Sequence, residues 1–123
     1  MKNLVVLFAG NNTPMALCPI SGGPSAFERA LRWASRVPDA ARIIVVSRAD
    51  ELDRYRDTCQ SLAPAVDTSV IADPAWTVSS FFSRISEASE GFDHVFLSMA
   101  DYPFLDARFT DRLFENHRKY AAE

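Results

Sequence analysis

The chain has 123 residues, 48% hydrophobic and 24% charged, with a formal net charge of −3. That length suits one domain, and the composition is globular and not disordered. The acidic balance offers no electrostatic footprint for a nucleic-acid backbone, and the two cysteines are too few for a disulfide framework or a zinc site.

Both thiols, Cys18 and Cys59, are therefore expected to be free. No stretch approaches membrane-spanning length. The N-terminal apolar run breaks at Gly10-Asn11-Asn12 before a secretory core could form. A soluble, cytoplasmic protein with no membrane or nucleic-acid partner is the expectation.

Leu4–Phe8 is a continuous apolar run rich in β-branched residues, the pattern of a strand buried on both faces and hence parallel and central. Residues 9–24 lack periodicity and read as a long functional loop. Ser25 and Glu28 form a capping-box pattern that opens a helix, with Pro24 just before it. Phe27, Ala30, Leu31 and Ala34 mark its inward face, and Val37-Pro38-Asp39 ends it.

Ile43–Ser47 is a second buried strand. Asp50 is expected to cap a second helix whose apolar face is Leu52, Tyr55, Cys59 and Leu62, stopped by Ala63-Pro64. The charges of residues 50–57 read as its solvated face. Thr68–Ile71 is a short third strand, followed by a turn at Asp73-Pro74. A third helix is expected from about Thr77 to Ser89, with Val78, Phe81, Phe82 and Ile85 as its buried stripe. His94–Ser98 is a fourth strand, and Asp106 opens a last helix.

This alternation predicts an α/β, Rossmann-like three-layer sandwich with a mostly parallel sheet. Unusual loops follow the first and fourth strands. If those strands are neighbours where the strand order reverses, the two loops face one cleft.

The first loop supplies a candidate nucleotide-binding set: Ala9, Gly10, Asn11, Asn12 and Thr13. Gly10 permits a sharp turn and close backbone approach, and the following residues offer amide and side-chain donors to phosphate. Neither G-x-G-x-x-G nor G-x-x-x-x-G-K-[ST] is present, and no Lys or Arg lies between Lys2 and Arg29. A plain structural loop stays open as the alternative. Asp101, just past the fourth strand and two residues before Pro103, is a candidate magnesium ligand. Its alternative is a turn aspartate capping local amides. His94 and His117 have no matching ligand spacing. Trp33 and Phe27 read as packing residues, and Trp76 as either packing or cleft lining.

Read in order, these pieces resemble the sugar-phosphate nucleotidyltransferases, whose pattern is A-G-x-G-x-R-M, then P-K, then Gly-Pro entering a helix. The matching residues are Ala9, Gly10, Met15, Pro19, Gly23 and Pro24. Residues 23–47 resemble the helix and second strand of the cytidylyltransferases. Residues 73–80 sit where those enzymes carry G-x-x-R-x-x-S facing the base, with Ser79 matching the serine. Asp101-Tyr102-Pro103-Phe104 resembles the D-x-P-[FL] motif, seen also in molybdenum-cofactor nucleotidyltransferases.

The resemblance covers essentially the whole chain and implies the nucleotide-diphospho-sugar-transferase fold. It implies a nucleoside triphosphate, CTP first, and a phosphorylated small molecule or sugar as substrates, with pyrophosphate released. It also implies nucleotide contacts at residues 9–13 and Ser79, Mg2+ on Asp101, and a homodimer. Family domains continue beyond the helix after D-x-P, so residues 1–123 are expected to be a single domain truncated at its C-terminal end.

Four signature positions differ. Asn12 replaces the second glycine, Pro14 the arginine, Ile20 the lysine and Trp76 the arginine of the third-strand segment. In the family those cations hold the triphosphate, and their loss removes a main electrostatic contribution to nucleotidyl transfer. The alternative to an active transferase is therefore a catalytically impaired relative with a binding or assembly role. No catalytic side chain is assigned.

Overall fold

The computed structural model describes residues 2–10 and 13–99. Four strands, β1 (Asn3–Phe8), β2 (Ala40–Ser47), β3 (Thr68–Ala72) and β4 (His94–Met99), form one sheet in the order β3-β2-β1-β4. Each neighbouring pair is parallel. The register aligns Val70, Val45, Leu7 and Ser98 in one row across the sheet.

The helices are α1 (Thr13–Leu17), α2 (Ala26–Arg36), α3 (Leu52–Leu62) and α4 (Val78–Ala88), with a 3-10 turn at Ala49–Glu51. Two apolar layers enclose the sheet. Val5, Leu7, Ile43 and Val45 face Phe27, Leu31, Ala34, Tyr55 and Cys59 of α2 and α3. Leu4, Val6, Ile44 and Val46 face Ile85 of α4 and its neighbours Trp76 and Phe81. The split follows from strand order. The crossings β1→β2→β3 run one way and place α2 and α3 on one face. The crossing β3→β4 runs back past β1 and places α4 on the other. The expected three-layer parallel sheet is therefore present, with β1 and β4 adjacent where the order reverses.

Local signals explain most boundaries. Ser25 Oγ accepts the Glu28 amide at 3.1 Å, one arm of the expected box. The Glu28 carboxylate turns instead to Arg32, at 3.2 Å. Val37, ahead of Pro38, is held extended and cannot continue α2. Ala63 adopts a left-handed conformation and closes α3 through a 3.0 Å bond from its amide to the Cys59 carbonyl. Cys18 and Cys59 are free thiols.

Three expectations are corrected. The segment 9–24 is not all loop, since Thr13–Leu17 is helical, anchored by buried Thr13 and Ala16. Five residues are too few for periodicity to reveal. Asp50 does not cap α3, because it lies inside the 3-10 turn that leads into the helix without a side-chain cap. The stripe of α4 is only partly inward. Ile85 is buried and Phe81 half-buried, but Val78 and Phe82 are 74% and 55% exposed. They border a groove beside Leu97 and Met99, themselves exposed, of β4, the edge strand of the described sheet.

Candidate functional site

The C-terminal ends of the strands carry the site. Hydrogen bonding runs one residue past β1 and β3: the Ala9 amide donates to the Val46 carbonyl and the Asp73 amide to the Ser47 carbonyl, both at 2.8 Å. Ala9-Gly10, Arg48 and Asp73 are thereby fixed side by side along one edge of the sheet. Ala9 is buried on the α2 side, whereas Phe8 points to the α4 side.

Gly10 has φ +107°. A Cβ there would stand 3.0 Å from Arg48 Cγ and 3.3 Å from Trp76 Cη2. Glycine is required both by conformation and by the close approach of these two side chains. Thr13 turns inward: its hydroxyl is buried and lies 3.2 Å from the Tyr55 hydroxyl, tying α1 to α3. Any ligand contact from Thr13 would therefore come from its backbone. Asn11, Asn12 and Asp101 lie outside the described residues.

The segment between β3 and α4 is built around Asp73, which is 1% exposed. Ser80 Oγ donates to its Oδ2 at 2.6 Å and Arg84 Nε to its Oδ1 at 3.3 Å. Burial pushes the Asp73 carboxyl upward, but the Ser80 bond, the Arg84 bond and charge, and the Trp76 amide outweigh it. The carboxyl is held below its ordinary value. Thr77 and Ser80 complete a reciprocal capping box for α4. Ser79 is exposed on the first turn of α4.

Trp76 has φ +49°, a left-handed conformation rarely adopted by bulky residues. The Asp73 carboxylate accepting its amide, and the Phe8 ring stacked on it at 4.7 Å, hold it there. The Arg48 guanidinium carbon lies over the indole, 5.7 Å from the ring centroid. Trp76 thus both packs and lines a cleft. With Phe8, Phe81, Phe82, Leu97 and Met99 it borders an apolar groove of about 400 Å3 at the mouth of β1 and β4.

A larger hollow of about 680 Å3, lined in part by Arg56, Gln60, Pro64 and Asp67, lies where α3 ends and β3 begins. That is the opposite end of the strands from the loops that bind ligands in open α/β sheets. Two site residues escaped the sequence reading. Asp73 looked like an ordinary turn residue, because its partner Arg84 lies 11 residues on, in the middle of α4. Arg48 carried no motif at all.

The strand order reverses between β1 and β4, and a glycine turn follows β1 at that point. Residues 4–123 match the MobA-like NTP transferase domain family. The chain belongs to that family.

Solved structures agree on the architecture of this MobA-like domain. A 4-diphosphocytidyl-2C-methyl-D-erythritol synthase from Anaerococcus prevotii DSM 20548 superposes with a TM-score of 0.77 at 19% identity, covering 96% of this chain and 52% of its own. A CMP:2-keto-3-deoxy-manno-octonic acid synthetase complexed with CTP gives 0.74 at 17%, covering 99% and 49%. An uncharacterized protein of Treponema pallidum (strain Nichols) is 29% identical over 112 residues, 83% of this chain and 50% of that relative. The chain spans about half the length of the relatives it matches.

Among the described residues no group of three His, Cys, Asp or Glu side chains could hold a metal ion. Asp73, the buried carboxylate nearest the cleft, already has both oxygens engaged by Ser80 and Arg84. Among the described residues no helix is long and apolar enough to cross a membrane.

Proposed function

We propose that this domain forms the nucleotide-binding part of a nucleotidyltransferase, taking a nucleoside triphosphate, CTP first, and passing its nucleotidyl group to a phosphorylated small molecule or sugar. The observation that carries the reading is the meeting of the Gly10 turn, at the end of β1, with Trp76 of the Asp73–Ser80 segment that follows β3. β4 lies beside them, ending two residues before Asp101. The two structural neighbours, a 4-diphosphocytidyl-2C-methyl-D-erythritol synthase and a CMP:2-keto-3-deoxy-manno-octonic acid synthetase complexed with CTP, support a cytidine nucleotide.

In this reading the backbone after Ala9 receives the nucleotide, through Gly10, Asn11, Asn12 and the Thr13 amide. Ser79 faces the base from the α4 side. The acceptor phosphate attacks the α-phosphorus in line, the bond to the β-phosphate oxygen breaks, and pyrophosphate leaves. Asp101 is the residue that would hold magnesium, with substrate phosphates completing its shell. Bound there, the ion would neutralise charge on the reacting phosphates.

Calorimetric titration of the full chain with CTP, GTP, ATP and UTP, each with magnesium, tests the proposal. Saturable binding with CTP the tightest is expected. Binding of none of the four would defeat it, and preference for another base would overturn the cytidine assignment alone.

A further inference from the structure

The loop between Gly10 and Pro24 contains no Lys or Arg, yet a polyphosphate is held best by charge-assisted bonds from a cation. Three described arginines lie nearby. Arg84 is paired with buried Asp73 at 3.3 Å. Arg29 stands at the far end of the loop, with Nε directed to the Pro24 carbonyl. Arg48 stands at the near end, where the chain leaves β1.

The placement of Arg48 is set by packing. It follows Ser47, the buried last residue of β2. Its Cγ lies against Gly10, so closely that a Cβ there would stand 3.0 Å away, and its guanidinium lies over Trp76. Trp76 is itself fixed by stacking on Phe8 and by the Asp73 carboxylate. Among the described residues no carboxylate lies within salt-bridge distance of Arg48. A guanidinium seated on an aromatic face keeps its N–H donors in its own plane, available to phosphate oxygens. Because stem and head are already braced, less side-chain freedom is lost when an anion binds.

We infer that Arg48 is a phosphate-binding residue of this site, supplying from the end of β2, across the face of Trp76, the positive charge that the Gly10 loop lacks. The inference rests on the nucleotide reading above and extends it to a named cation. It gives Trp76 a role as well. The indole stands where the family pattern has an arginine, and it carries on its face an arginine delivered by another strand.

The experiment is calorimetric titration of CTP, CDP, CMP and cytidine, with magnesium, into the full chain and its R48M and R48K variants. Methionine keeps an apolar stem against Gly10 and removes the charge, whereas lysine restores charge without the planar fork. The expected result is CTP binding weakened on the order of tenfold to a hundredfold in R48M and recovered in large part in R48K. The deficit should shrink as phosphates are removed and vanish for cytidine. Equal CTP affinity in R48M and the parent overturns the inference, as does an equal deficit for cytidine, which would make Arg48 a base contact or a packing residue. If R48M fails to fold, R48Q decides: CTP affinity equal to the parent's overturns the assignment, and a CTP deficit that vanishes for cytidine upholds it. Failure of the parent chain to bind any nucleoside triphosphate defeats the parent reading, and this one with it, and is told apart by occurring without any substitution.

Discussion

The Arg84 guanidinium reaches the buried Asp73 carboxylate at 3.3 Å, joining the end of β3 to the middle of α4. Between them Ser80 donates to the same carboxylate at 2.6 Å, and the left-handed Trp76 amide is held by it as well. One carboxylate thus positions the turn, the helix start and the indole that closes over Gly10.

Asp73→Ala should leave these donors without their common acceptor and cost about 1–3 kcal/mol of stability, read by denaturant unfolding. The pH dependence has a definite sign. The folded carboxyl is held below its ordinary value, so its contribution is present above the unfolded pKa of about 4 and is lost as pH falls through the folded value. Asp73→Asn should flatten the acid limb of the stability profile. An unchanged limb would show that the Ser80 bond, the Arg84 bond and charge, and the Trp76 amide together do not hold the carboxyl down in solution.

Gly10→Ala should destabilise the domain by about 1–3 kcal/mol, because alanine is strained at φ +107° and its Cβ meets Arg48 and Trp76. Trp76 fluorescence should shift with the indole, measured in a Trp33→Phe background. A melting temperature equal to the parent's would mean that the close approach is not maintained.

Burial pushes the Cys59 thiol up to about 11, whereas Cys18 is exposed. Iodoacetamide at pH 8 should therefore label Cys18 in the native protein and reach Cys59 only under denaturant, as resolved by peptide mass spectrometry. For Cys59 the folded pKa lies above the unfolded one. Its contribution is full below about pH 8.5 and falls away as pH rises toward 11. Cys59→Ala should remove that part of the alkaline loss.

Asp101→Asn should reduce magnesium-dependent CTP binding on the order of tenfold to a hundredfold and leave magnesium-free binding nearly unchanged. Equal magnesium dependence in the variant and the parent would assign Asp101 to the local turn instead.

The fold was largely legible in the chain because its signals are local. Leu4–Phe8 and Ile43–Ser47 announce strands buried on both faces, and Ser25, Pro38 and Ala63 mark helix ends through backbone preferences that act within a few residues. The short helix at Thr13–Leu17 was not legible, since it is held by Thr13 meeting Tyr55, 42 residues away. The stripe of α4 misled for a related reason: periodicity shows which residues are apolar, not whether the facing strand closes over them, and here an open groove separates Val78 and Phe82 from full burial.

The sequence by itself determined the alternation of strands and helices, the glycine turn after β1 and the family pattern with its missing cations. These depend on near neighbours and residue type. Only the tertiary structure decided that Asp73 is a buried anchor, that Trp76 lies between Phe8 and Arg48, and that Arg48 stands beside Gly10. These are contacts between strand ends far apart in the chain, created when parallel pairing brings β1, β2 and the β3–α4 turn to one edge of the sheet.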